Sequence, residues 1–395
     1  MANRTDGPLD FLTPALDRLK TDGFAMQWPT LEAAQGPRTI LSGRPVINLA
    51  ANNYLGLANH RDVRAAAIKA IERYGAGVAS ARNACGNLPL HDELERRLAA
   101  FKGCEAALIT QTGYAANLGT LQALFDEKDA IVSDALNHAS IVDGARLSRA
   151  RVLVYRHGDA ADAETKMAQA RKDGARRLVV VTDGLFSMDG DIAPLPELRA
   201  AARRHGAITM VDDAHSVGVL GPGGKGTAAH FGLKGKIDIQ IGTLSKALGV
   251  MGGYIAGSGE LIEWLEQRHR ATFFSASTLT PADTAASLKA LDILEAEPER
   301  VTRLWSRAGY FREGLRALGF DTGTGEGPLI PIIVGEAARA TGLRDRLLEL
   351  GVFVVAVAFP IVERDAARLR AIVTAEHSEA DLDEALAAFK TAGQF

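Results

Sequence analysis

The sequence predicts an α/β protein on a mostly parallel central sheet, with a smaller α+β unit at its C-terminal end. Three observations carry this. Short apolar runs of the kind buried parallel strands show recur from Ala106 to Thr243. Segments with helical spacing separate them, and strand–helix–strand in that rhythm marks βαβ units. After about Thr280 the rhythm changes to long helical patterns followed by clustered strands.

Taken in order, residues 1–48 read as an arm. Leu9 to Lys20 carries helical spacing, and Gln35-Gly36-Pro37-Arg38 and Ser42-Gly43-Arg44-Pro45 are turn signals. A strand from Val46 to Ala50 leads into Asn52-Asn53-Tyr54-Leu55-Gly56. Residues 49–280 form the large α/β domain. Helices are expected over Asp62–Arg73, His91–Phe101, Gly113–Phe125 and Leu195–Arg204, where apolar residues recur at helical intervals. Strands are expected over Ala106–Gln111, Ala130–Asp134, Val152–Arg156, Leu178–Asp183 and Ile208–Asp212. Residues 281–395 form the small domain. It opens with helices over Pro281–Ala296 and Arg303–Leu318, continues with strands over Leu329–Val334, Val352–Ala358 and Arg368–Val373, and closes with a helix over Ser378–Thr391.

Bulk properties bound the function. The chain has 395 residues, 47% of them hydrophobic and 24% charged, as in ordinary globular proteins. A net charge of -3 gives no electrostatic case for nucleic acid or an anionic membrane. Two cysteines make no disulfide framework, and no CxxC or histidine-rich cluster suggests a metal. No apolar run approaches membrane-spanning length and the N-terminus has no apolar signal core, so a cytoplasmic location is expected.

The chemistry centres on Gly242-Thr243-Leu244-Ser245-Lys246. It follows the strand Ile239-Gln240-Ile241 and precedes Ala247-Leu248-Gly249. A lysine in apolar company loses part of its proton affinity, so its amine can attack an aldehyde. Upstream, Val211-Asp212-Asp213-Ala214-His215 offers an acidic partner for a pyridine nitrogen. A nucleophilic lysine and an aspartate on the ring nitrogen are what pyridoxal 5′-phosphate (PLP) requires of a protein.

Other candidates stand at strand ends, where open α/β sheets place ligands. Thr112-Gly113-Tyr114 opens a helix whose amides suit a phosphate, although such turns also occur with nothing bound. His138 can stack on a flat ring or cap a helix. Ser187 can bond a cofactor hydroxyl or belong to a polar loop. Asp212 with His215 could also suggest a hydrolase, but Ser216 lies in no Gly-x-Ser-x-Gly elbow. Arg368 and Arg370 alternate on one strand and face the same side. Arg370 can clamp a carboxylate or sit in a surface salt bridge.

Together these motifs resemble the α-oxoamine synthases, a branch of the fold-type-I PLP enzymes, over nearly the whole chain. The matching segments are 52–56, 134–141, 183–190, 211–215, 242–246 and 368–370. Within the family the likeness is greatest to the glycine C-acetyltransferase branch, with 8-amino-7-oxononanoate synthases beside it. The resemblance implies that Lys246 holds the aldehyde and removes the amino acid's Cα proton. It implies Asp212 on the ring nitrogen, His138 on the ring face, and His215 and Ser187 near the phenolic oxygen or the substrate. Thr243 and the amides of Gly113 and Tyr114 would hold the phosphate, with Ser275 reaching in from a partner subunit in a homodimer. Asn52 and Arg370 would bind the substrate carboxylate.

The implied reaction is a Claisen-type condensation of a small amino acid, glycine first, with an acyl-CoA, acetyl-CoA first. Condensations of the 8-amino-7-oxononanoate synthase or serine palmitoyltransferase kind are the alternatives. A PLP aminotransferase and an inactive regulatory subunit are rivals of other classes. The chain departs from the family's usual form at Asn87, in the segment Ser275–Pro281, and at Glu363 and Asp365. All three regions lie where the resemblance places the acyl chain or the subunit contact.

Overall fold

The computed structural model describes residues 7–21, 28–273, 278–359 and 361–393. Its thirteen strands are β1 (Arg38–Leu41), β2 (Arg44–Asn48), β3 (Ala106–Thr110), β4 (Ala130–Asp134), β5 (Arg151–Tyr155), β6 (Leu178–Asp183), β7 (Ile208–Asp212), β8 (Ile239–Thr243), β9 (Gly253–Gly257), β10 (Leu329–Gly335), β11 (Val352–Phe353), β12 (Val355–Val357) and β13 (Ala367–Ile372). Seven of them form one sheet in the order β3-β9-β8-β7-β6-β4-β5. Strands β5, β4, β6, β7 and β8 run parallel, and β9 is antiparallel to both β8 and β3. The sheet is mostly parallel, as expected.

Burial explains why these runs are strands. Every residue of β4, β6, β8 and β9 is buried. Val179, Val180 and Val181 stack β-branched side chains on both faces, which a sheet covered by helices on each side favours over a helix. One covering helix shows a single apolar stripe. Leu195–Arg204 buries Leu195, Leu198, Ala201 and Ala202, the spacing of a single helical face.

Strand order sets the position of the site. From β4 the chain steps outward to β5, then returns to β6 on the other side of β4 and proceeds to β7 and β8. Connections therefore diverge between β4 and β6, and a crevice opens outside their C-terminal ends. The segments after β4, β6, β7 and β8 carry His138, Ser187, His215 and Lys246.

Two three-stranded sheets complete the molecule. One is β10-β13-β12, antiparallel throughout, with β13 in the middle. The other joins β1 and β2 to β11, which pairs parallel to β2. The apolar run Val352–Ala358 reads as one strand in the sequence but is two. Val352 and Phe353 belong to one sheet and Val355 to Val357 to the other, and the fully buried Val354 is the crossing point. The helix Pro281–Ala296 begins as expected, with Thr280 capping the Asp283 amide and Pro281 in the first turn.

A buried ion pair underlies the crevice. Lys102 Nζ lies 2.6 Å from Asp213 Oδ2, and both side chains are inaccessible to solvent. Asp213 also accepts from the Thr227 amide and hydroxyl, so its charge is fully engaged. Removing one member strands the other in a medium that cannot solvate it. Lys102→Met should cost about 3–5 kcal/mol, read as a lowered urea midpoint; a loss within about 0.5 kcal/mol, as at an ordinary surface site, would show that Asp213 carries no buried charge.

Candidate active site

Lys246 sits in the turn between β8 and β9, and that turn is tied to itself. The Leu244 amide donates to Gly252 O at 3.0 Å, Val250 to Leu244 O at 2.9 Å and Gly249 to Lys246 O at 3.0 Å. Gly249 has φ +73°, and a Cβ there would come within 2.4 Å of the Ala58 nitrogen. Glycine is required on both counts. The lysine is thus presented on a rigid turn rather than a free loop. Burial pushes its amine down to about 8, although Asp212 and Asp183 pull it up and Arg370 adds to the lowering.

The two carboxylates stand side by side at the ends of adjacent strands, with Asp183 in register with Asp212. Asp212 is 4% exposed. Its Oδ2 accepts from Asn117 Nδ2 at 2.5 Å and its Oδ1 from the Ala214 amide at 2.8 Å. Among the described residues no basic side chain forms an ion pair with it. Burial, then the charge of Asp212, pushes Asp183 well above the ordinary carboxylate range. Asp183 accepts the His138 amide at 3.0 Å.

Asn117 links Asp212 to the other wall. Its Nδ2 also donates to Ser140 Oγ at 2.9 Å, and Ser140 Oγ lies 2.7 Å from His138 Nδ1. His138 Nδ1 accepts from the Ser140 amide as well, capping the helix Ala139–Ser148. With Nδ1 accepting, the ring proton falls on Nε2. Capping and facing the crevice are therefore compatible roles for His138. Its side chain is exposed at the surface of the crevice.

His215 is buried, and its Nδ1 lies 2.7 Å from the Tyr54 hydroxyl. Burial, then the charges of Lys246 and Arg370, pushes this imidazole well below its usual range. Burial also lifts Tyr54 to about 12, so the phenol keeps its proton and donates it to Nδ1. That bond leaves Nε2–H as the outward donor of His215.

Gly113 begins the helix Gly113–Leu124, which Thr112 caps through the Ala115 amide. A Cβ on Gly113 would lie 3.2 Å from Thr243 Cβ, and one on Gly253 would lie 2.4 Å from the Gly113 nitrogen. Two glycines thus let the helix start and the end of β8 meet. Thr243 donates its proton to Gly252 O at 2.9 Å and lies 2.8 Å from Ser245 Oγ. Tyr114 contributes its amide to the helix start, while its hydroxyl turns outward to Asp143.

Arg370 lies in β13 and reaches the crevice from the small sheet. Its Nε donates to Ser187 O at 2.7 Å and its Nη2 to Asn52 Oδ1 at 3.0 Å. Burial lowers its affinity for protons, and no carboxylate among the described residues pairs with it. Arg368, two residues earlier on the same face, is buried and bonded to Asp189. Ser187 is present through its carbonyl. Ser275 lies outside the described residues. Tyr54, Asn117 and Ser140 were not singled out by sequence reasoning, although Tyr54 stands inside the segment 52–56 and Ser140 inside 134–141.

These residues fit PLP. A buried, oriented carboxylate without a cation matches a protonated ring nitrogen. A helix start meeting Thr243 and Ser245 matches a phosphate. A lysine with depressed proton affinity matches the aldehyde. Residues 44–389 match the model of the family described as aminotransferase class I and II. An 8-amino-7-oxononanoate synthase of Thermoanaerobacter pseudethanolicus is 51% identical over 98% of this chain and 97% of its own. A serine palmitoyltransferase of Sphingomonas wittichii superposes with a TM-score of 0.93 at 31% identity, over 99% of this chain and 98% of its own. The serine palmitoyltransferase of S. paucimobilis with a PLP–myriocin adduct bound superposes with a TM-score of 0.91 at 33% identity, over 98% and 97%.

The chain belongs to the α-oxoamine synthases, within the class I and II aminotransferases. As such it is an enzyme whose cofactor is PLP. Among the described residues no helix of this synthase is long and apolar enough to cross a membrane.

The lowered proton affinity of Lys246 makes a direct prediction for the cofactor-free synthase. Competitive amine labelling should show Lys246 becoming reactive as pH rises through about 8, well before ordinary lysines at about 10.4. Lys246→Ala should remove that labelled peptide and all covalent cofactor. Labelling that follows the ordinary lysine profile would contradict the apolar setting.

Proposed function

We propose that this enzyme joins the α-carbon of a small amino acid to the acyl carbon of a thioester and releases the thiol. The observation that carries the reading is Arg370, a partly buried cation held by Asn52 and Ser187 O but not neutralised. A substrate carboxylate would complete it, with Asn52 beside it as a second polar contact. A charge-assisted contact of this kind is worth roughly 1.5–3 kcal/mol.

The remaining residues take roles that follow from their settings. Lys246, its proton affinity lowered by burial, would hold the aldehyde carbon and, once released, take the proton from the amino acid's α-carbon. Asp212 would keep the ring nitrogen protonated, with Asn117 fixing its orientation. When bound, PLP supplies an electron sink for the carbanion formed at that α-carbon. His138 would lie on the ring face, which leaves little room for a large amino-acid side chain. His215 would direct Nε2–H toward the phenolic oxygen or the substrate, and Ser187 belongs to the same wall. The amides of Gly113 and Tyr114 would hold the phosphate, and so would Thr243 after its proton swings from Gly252 O. A homodimer with Ser275 completing the partner's site belongs to this reading.

For the substrates, the name of the relative that is 51% identical supports one choice. In 8-amino-7-oxononanoate the amine adjoins the ketone, with a single methyl carbon beyond it and a carboxylate at the far end. Alanine and an ω-carboxyacyl thioester would supply those atoms, with loss of the alanine carboxylate. Glycine with acetyl-CoA is the second reading, motivated by the segments 134–141 and 183–190, which look most like the glycine acetyltransferase branch.

A matrix of glycine, alanine and serine against acetyl-, ω-carboxyacyl and palmitoyl thioesters, read by thiol release, tests both. Thiol release should be greatest for alanine with the ω-carboxyacyl thioester. Arg370→Ala should raise the amino-acid KM by about tenfold or more, the weight of one charge-assisted contact. Turnover by amino-group exchange without thiol release would replace the condensation with an aminotransferase.

A further inference from the structure

Among the described residues outside the crevice, one histidine has a carboxylate on each ring nitrogen. His157 follows β5. Its Nδ1 lies 2.9 Å from Asp134 Oδ1, and its Nε2 lies 2.9 Å from Asp191 Oδ2. Asp134 ends β4 with its side chain buried, and it also accepts the Leu136 and Gly158 amides. The Phe186 ring meets the His157 ring edge-on at 4.4 Å. Both nitrogens facing carboxylates means both donate, so the ring carries a positive charge. The hydrogen bonds to Asp134 and Asp191 lift it to about 10, against a smaller lowering from burial.

Asp191 and Phe186 belong to one hairpin. The Phe186 amide donates to Asp191 O, the Gly190 amide to Phe186 O, and Leu185 bridges to Ile192. The tip of this hairpin faces the small sheet. Ser187 O accepts from Arg370, Asp189 pairs with Arg368, and Gly190 O accepts the Glu326 and Gly327 amides. The hairpin therefore joins β4 of the large sheet to the arginine strand β13. His157 is the ionic link at its base.

We propose that His157 is a positioning residue for substrate binding: by gripping Asp191 and Phe186 against Asp134, it holds the 184–192 hairpin at the height where Ser187 O orients Arg370. His157 touches neither substrate nor cofactor. The inference rests on the reading of Arg370 as the carboxylate site.

The test uses His157→Gln and Asp191→Asn in the holoenzyme. Amino-acid affinity comes from calorimetry, kcat from thiol release, and mobility of the hairpin from amide hydrogen exchange. Each variant should weaken amino-acid binding by about tenfold, the weight of a lost charge-assisted bond, while kcat at saturation stays within about twofold. Exchange should accelerate at residues 185–190 and not in β7 or β8. In an Arg370→Ala background His157→Gln should add about twofold or less, as coupled residues do. Unchanged affinity, or a parallel loss of kcat and cofactor, overturns the proposal. If Arg370→Ala leaves amino-acid affinity intact, the carboxylate assignment fails instead. The exchange data then still decide whether His157 holds the hairpin. If His157→Gln does not fold, Asp191→Asn carries the same test from the other side of the bond.

Discussion

The site depends on one buried carboxylate. Asp212 ends β7 at the centre of a seven-stranded sheet and is 4% exposed, with no cation bound to it among the described residues. A carboxylate so placed is costly unless a positive partner arrives. Asn117 and the Ala214 amide fill one lone pair on each oxygen and fix the orientation. Its negative charge limits the fall of Lys246, and it helps push Asp183 up. A ring nitrogen entering protonated would resolve the arrangement, and the hydrogen-bond chain from Asp212 through Asn117 and Ser140 reaches His138 on the other wall.

A second layer holds that arrangement still. Lys102 and Asp213 anchor the segment directly after Asp212. Tyr54 selects the tautomer of His215. The hairpin 184–192 joins the large sheet to the arginine strand. Each device ties polar groups to named partners, so they have little freedom to move.

Much of this was legible in the sequence where local signals sufficed. Strands β4, β6 and β7 and the helices Leu195–Arg204 and Pro281–Ala296 fall at their expected residues, because burial and caps are written in consecutive side chains. Strand β9 was not anticipated. Glycines at 252, 253 and 257 give it the look of a turn, yet Gly253 is what lets it pass close to the helix start at Gly113. The break at Val354 was hidden because both halves are apolar and only their partners differ. Lys246, Asp212, His138 and His215 were visible because each ends or follows a strand in a distinctive segment. Tyr54, Asn117 and His157 were not, because their meaning comes from partners distant in the chain, such as Tyr54 and His215, 161 residues apart. No periodicity records such a bond.

The most direct measurement of the central claim is the ring-nitrogen 15N chemical shift of labelled PLP bound to the synthase, compared with the same signal in Asp212→Asn. The account predicts a protonated ring nitrogen across neutral pH in the native protein and a neutral one in the variant, with the fold retained in both. A neutral ring nitrogen in the native protein, or a protonated one in Asp212→Asn, would contradict it.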